Sequence, residues 1–89
     1  MTKQLYLYST SHCHLCEFAY ALILQAAGPS NVKLIEVADD KDLLAEYGLR
    51  IPVLKLVDTN AELNWPFNLV DITVFLNQSF ITANKKASN

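Results

Sequence analysis

The sequence is short of several things, and each shortage narrows its function. It has only two cysteines, and a lone pair in a reducing cytosol is seldom a permanent staple; such a pair is more often redox-active or metal-binding. It has no excess of basic residues. A formal charge of −2 leaves no basic footprint for nucleic acid and no polybasic patch for a membrane surface. It has no long hydrophobic run: the longest, "FAYALILQAAG", is broken by Gln25 and is too short to span a bilayer. The opening "MTKQLYLYST" lacks the long apolar segment and small-residue cleavage site of a signal peptide. Repeats, linkers and a second composition block are also missing, so residues 1–89 read as one domain of folding composition. The expectation is a soluble cytoplasmic protein, a monomer with neither nucleic acid nor membrane as partner.

What is present alternates between strand and helix signals. "QLYLYS" is an alternating run of strand formers, so residues 4–8 are a first strand. In "CHLCEFAYALILQAAGP", Leu15, Ala19, Leu22, Ile23 and Ala26 fall on one helical face, and Gly28-Pro29 stops the helix. "VKLIEV", residues 32–37, is a second strand. "DDKDLLAEYG" offers an Asp cap, an apolar face of Leu43, Leu44 and Tyr47, and Gly48 as terminator. "IPVLKLVD" and "ELNW" then pair as a hairpin. A third helix follows in "NLVDITVFLNQSF", with Asn68 as cap and Leu69, Ile72, Phe75 and Leu76 inward. The tail 82–89 is polar and expected to fray. A βαβ unit places its two strands parallel through a right-handed crossover, the hairpin adds antiparallel strands, and helices cover both faces. The fold class is α/β, a three-layer α/β/α sandwich.

The chemistry gathers in "STSHCHLCEF". Cys13 sits where the first strand gives way to the first helix. Cys16, three residues on, returns to the same side about one turn away, where Cα atoms lie about 5 Å apart, within the roughly 4.4–6.8 Å a disulfide accepts. The two thiols are not equivalent. Cys13, placed at the first helical position, meets unpaired backbone N–H groups and the positive end of the helix dipole, which favour a thiolate. Cys16 meets apolar neighbours and keeps its proton longer. Cys13 is therefore the attacking sulfur and Cys16 the resolving one. His12 and His14 are the candidate groups for tuning the Cys13 pKa, since a protonated imidazole beside it favours the thiolate; the bland reading makes both of them exposed turn and helix-start residues. Pro52, inside an apparent strand, marks an edge, a bulge or a strand start.

"LYSTSHCHLC" with its C-x-x-C opening a helix, "RIPVLKL" before a hairpin, and the turn-plus-helix "WPFNLVDI" together resemble a glutaredoxin-like protein of the thioredoxin-fold superfamily, over about Gln4 to Phe80. The resemblance implies a thioredoxin-like mixed sheet in order 4-3-1-2 with the third strand antiparallel to the rest. It implies a cis Ile51-Pro52 peptide facing Cys13, with the Ile51 main chain offered to an extended substrate, and Trp65 beside the same groove. Trp65 also has a plain reading as a partly buried core aromatic. Apart from the resemblance, Arg50 and Lys55 flank the proline strand and are candidates for choosing a partner, with solvated surface charge as their plainer reading. The implied activity is thiol–disulfide oxidoreduction on a disulfide-containing protein or small thiol substrate, reset by a thiol reductant, with the Cys13–Cys16 pair in place of any cofactor. Glutathione is a cosubstrate the resemblance allows, and three departures count against it. Thr10 stands where glutathione-dependent members usually carry lysine, and Asn64-Trp65 and Asn68 stand where they carry a Gly-Gly pair and an acidic residue. Separately, the active-site dipeptide is His-Leu where Pro-Tyr is usual.

Two alternatives remain open to the sequence. A metal module could draw on Cys13, Cys16 and His12 or His14 for zinc, or on Cys13 for an iron–sulfur cluster in a dimer. Structural zinc, however, needs four ligands and no second ligand pair is present. Glu17 after Cys16 excludes haem attachment, which requires histidine there. A thioredoxin-fold interaction module with incidental thiols is the other, since fold does not fix activity.

Overall fold

The computed structural model describes residues 4–77; the polar tail 82–89 lies outside them. The order is β1 (Leu5–Ser9), α1 (His14–Ala27), a 3₁₀ turn (Pro29–Asn31), β2 (Val32–Glu36), α2 (Lys41–Tyr47), β3 (Val53–Leu56) and β4 (Glu62–Asn64). A third helix, α3, occupies 69–77. The four strands form one sheet ordered β2-β1-β3-β4. β1 runs parallel to β2 and antiparallel to β3, and β3 is antiparallel to β4. The thioredoxin-like arrangement expected from the sequence is therefore the one observed.

The alternation along β1 builds two cores. Leu5 and Leu7 join Leu54 and Leu56 of β3, Ala19 and Ile23 of α1, and Phe67, Ile72 and Phe75 around α3 in one buried cluster. Tyr8, one residue out of phase, packs instead with Val37, Val53 and Tyr47 of α2 in a second cluster. Successive side chains of a strand point to opposite faces, so α1 and α3 cover one side of the sheet and α2 the other. No helix among the described residues is long and apolar enough to cross a membrane.

Each helix end has a local cause. Asp40 caps α2, its Oδ1 accepting the N–H of Asp42 at 2.9 Å and of Leu43 at 3.1 Å. Asn68 and Asp71 cap α3 reciprocally: Asn68 Oδ1 accepts Asp71 N–H at 2.8 Å, and Asp71 Oδ2 accepts Asn68 N–H at 3.0 Å. α1 ends at Gly28, whose φ of 86° favours a residue without a Cβ. Gly48 ends α2 for a different reason. Its φ is −53°, and a Cβ there would overlap the Leu44 carbonyl oxygen.

Three residues assigned inward by helical spacing are largely solvent-facing: Leu15 (48% exposed), Leu44 (48%) and Leu69 (38%). Leu15 and Leu69 lie in the first turns of α1 and α3, where the strands beneath are ending, and α2 has only seven residues with which to cover its face.

The α2 face is fastened by a polar network. Tyr47 stacks on Tyr8 with ring centroids 4.0 Å apart, and its hydroxyl donates to Glu62 Oε2 at 2.6 Å. Burial, reinforced by that carboxylate acceptor, pushes the Tyr47 phenol well above its ordinary value near 10. Arg50 donates from Nη1 to Glu62 Oε1 at 3.4 Å and to Asn64 Oδ1 at 3.2 Å, and from Nη2 to Glu46 Oε2 at 3.3 Å. Its guanidinium also lies 5.0 Å from the Tyr47 ring centroid.

Leu54→Ala, at a fully buried site, should cost about 2–5 kcal/mol. Leu15→Ala should stay within about 0.5 kcal/mol, both read from denaturant midpoints at unchanged slope. Tyr47→Phe loses its bond to Glu62 and should be less stable by about 1 kcal/mol at neutral pH. In the wild type, folded Tyr47 holds a proton that the unfolded chain releases near pH 10. Its contribution is therefore complete below that pH and is lost as pH rises further. Denaturation profiles of the two proteins should converge in alkali.

Candidate redox site

Strand register brings the candidate residues to one end of the sheet. Tyr8 pairs with Val53, and Val53 with Asn64, while Ser9 pairs with Glu36. The carboxyl ends of β1, β2 and β4 thus meet the amino end of β3. From that border emerge the turn bearing Cys13, the Ile51-Pro52 segment before β3, and Trp65 after β4. Ile51-Pro52 is cis, and so is Trp65-Pro66, which the sequence reading did not foresee.

Cys13 and Cys16 are joined as a disulfide with Cα atoms 5.2 Å apart. Cys13 lies one position earlier than its spacing implied: with φ −106° and ψ 102° it is extended, and it serves as the N-cap of α1. Its Sγ accepts the backbone N–H of Cys16 at 3.1 Å, where a serine or aspartate oxygen would ordinarily act. Its carbonyl accepts the first helical hydrogen bond, from Glu17 N–H at 3.1 Å. Cys16 is 5% exposed and Cys13 is half-buried. A shallow cleft of about 180 Å³ borders both sulfurs, walled by the Ser9–Cys13 segment, Tyr20 of α1 and Leu34 of β2.

Both imidazoles are exposed. His14 Nδ1 lies 4.0 Å from Glu17 Oε1, a pairing within the first turn of the helix. His12 adopts φ 62°, a left-handed conformation that costs most L-residues about 1–2 kcal/mol and is commonest for glycine and asparagine. The turn is tied to β2 by Glu36. Glu36 Oε1 accepts the Ser11 hydroxyl at 3.4 Å, and Oε2 accepts the Ala38 N–H at 3.0 Å. The Thr10 hydroxyl, followed by the Ala38 amide, holds the Glu36 carboxyl below its ordinary value. Glu36 was missed in the sequence, where an acid at a strand end gives no signal.

The remaining candidates divide. Arg50 is placed beside Ile51, but its guanidinium is engaged by Glu46, Glu62 and Asn64, so it braces the proline segment. Trp65 is partly buried and packs on the main core, its ring 5.0 Å from that of Phe67 in an edge-to-face contact, which matches its plainer reading. Among the described residues no three of His, Cys, Asp and Glu gather in a way that could hold a metal ion, and the metal alternative gains no geometric support.

Known proteins match along most of the chain. The model of the "Glutaredoxin-like domain (DUF836)" family matches residues 4–77. The crystal structure of the structural-genomics target XcR50 from X. campestris is 36% identical, with 82% of this chain and 95% of that chain covered and a TM-score of 0.75. Its solution structure is 35% identical, covering 83% and 92%, at a TM-score of 0.73. The solution structure of Ne2328 from Nitrosomonas europaea is 25% identical, covering 84% and 92%, at 0.67. No protein of curated function matches the chain. A strand–turn–helix that caps its helix with the first sulfur of a C-x-x-C, on a sheet of this order, agrees with that family model over nearly its whole length: the chain belongs to the glutaredoxin-like domain family.

Proposed function

We propose that the protein is a thiol–disulfide oxidoreductase in which Cys13 attacks and Cys16 resolves. The observation that carries this reading is the inequality of the two sulfurs. Cys13 is the more accessible and caps α1 through its Sγ, accepting the Cys16 N–H, whereas Cys16 is buried. Once reduced, a thiolate at the cap keeps that acceptor role, and a charged acceptor makes a stronger hydrogen bond than a neutral one.

The cycle balances without a cofactor. The Cys13 thiolate attacks one sulfur of a substrate disulfide, a Cys13–substrate bond forms, and the other substrate sulfur leaves as a thiolate that takes a proton. Cys16, as a thiolate, then attacks Cys13 Sγ. The Cys13–Cys16 bond forms and the second substrate thiol departs. The substrate gains two electrons and two protons, and a thiol reductant returns the same number to the protein. With Cα atoms 5.2 Å apart, the second attack is intramolecular and needs no large rearrangement.

The substrate we assign is a protein disulfide, and glutathione is disfavoured. Thr10 stands where glutathione-dependent glutaredoxins usually carry a carboxylate-binding lysine, and a hydroxyl brings no positive charge. Arg50 is held by Glu46 and Glu62. Neither offers a tripeptide carboxylate an unengaged positive charge. Ile51 and Pro52 would receive the extended substrate chain. The cycle runs in a reducing compartment such as the cytoplasm.

Cys13→Ser should reduce turnover of a model disulfide to background. Cys16→Ser should still attack but accumulate the mixed disulfide, visible as a thiol-reversible mass adduct on Cys13. A wild-type protein without turnover, or a Cys16→Ser protein that forms no adduct, would end this assignment.

A further inference from the structure

Backbone pairing between β1 and β2 stops just short of the reactive turn. The last rung joins Val37 N–H to Ser9 carbonyl at 3.0 Å. Past it, a side chain continues the fastening. Glu36 Oε1 takes the Ser11 hydroxyl at 3.4 Å, while Oε2 takes the Ala38 N–H at 3.0 Å. One oxygen thus grips the turn and the other is anchored to the exit of its own strand. Between this grip and the Cys13 cap lies His12 at φ 62°, a conformation that persists in a non-glycine residue only when its neighbours hold it.

We propose that Glu36 is a positioning residue for the nucleophile: its carboxylate latches the turn at Ser11 and so keeps Cys13 at the N-cap of α1. The inference rests on the assignment of Cys13 as the attacking sulfur. The lowering of the Glu36 pKa by the neighbouring turn, with the Thr10 hydroxyl as its largest cause, points the same way.

A latch and a bare charge act on Cys13 with opposite sign. A nearby carboxylate acting only through its charge disfavours a thiolate, so removing it would lower the Cys13 pKa. A latch preserves the cap that stabilises the thiolate, so removing it raises that pKa. The ionisable groups around the turn include His12, His14 and Glu17 on its own segment, Tyr20 across the cleft, and Glu36 from β2. All but Glu36 are left untouched by the comparison.

The experiment uses Cys16→Ser protein, in which Cys13 is the sole thiol, and follows thiolate absorbance and alkylation rate against pH. Adding Glu36→Ala should raise the Cys13 pKa by about one unit, lowering alkylation in the range below that pKa by about tenfold. Adding Glu36→Gln, which keeps an acceptor oxygen without the charge, should leave the pKa unchanged or slightly lowered. An unchanged or lowered pKa in Glu36→Ala overturns the latch. Should that variant fail to fold by circular dichroism, Ser11→Ala takes its place and must give the same upward shift, or the latch is overturned. The two ideas fail separately. A Cys13 of ordinary pKa in the parent, without turnover in the wild type, removes the oxidoreductase assignment. A depressed parent pKa that no latch variant moves removes only the role of Glu36.

Discussion

β1 is paired on both sides, and its alternation decides where everything else goes. Leu5 and Leu7 enter the core under α1 and α3, while Tyr8 enters the one under α2. Because the side-chain period of a strand is two, a slip of one residue would exchange those faces and place tyrosines among the leucines. The same register sets the site. Tyr8, Val53 and Asn64 stand side by side, so the reactive turn, the proline segment and the Trp65 turn leave the sheet at a common border. The chemistry gathers there because hydrophobic packing fixes the strands, and the reactive residues need supply little of the organising energy.

At that border the helix start is put to work through a sulfur. An N-cap oxygen normally satisfies an amide that would otherwise lack a partner. Here Cys13 Sγ holds that post, which couples the end of α1 to the redox state of the pair. The polar groups around it are directed to structure. Ser11 turns towards Glu36, Arg50 towards Glu46 and Glu62, and His14 towards Glu17.

Much of this was legible in the sequence. The succession of strands and helices, the caps at Asp40 and Asn68, and the cysteine pair at a strand–helix junction are local patterns with local causes, while the strand order came from the family resemblance. The errors came where tertiary context decides. Helical spacing grouped Leu15 with Ala19 and Ile23, but spacing cannot tell where the strand beneath a helix stops. The Tyr47–Glu62 bond spans fifteen residues and the Ser11–Glu36 contact twenty-five, so neither leaves a periodic trace. Arg50 looked available because the acids that engage it lie on α2 and β4. Cys13 was read as a helical residue because sulfur is not among the usual capping atoms.

The two open borders of the sheet also deserve a physical reading. β4 has only three residues, beginning with Glu62, and β2 has five, carrying Lys33 and Glu36. An exposed strand is a template on which a foreign strand can add, and brevity and charge are the usual deterrents. Short, charged edge strands of this kind are poor templates for strand addition, so the flanks of the sheet are ill suited to seed fibrils.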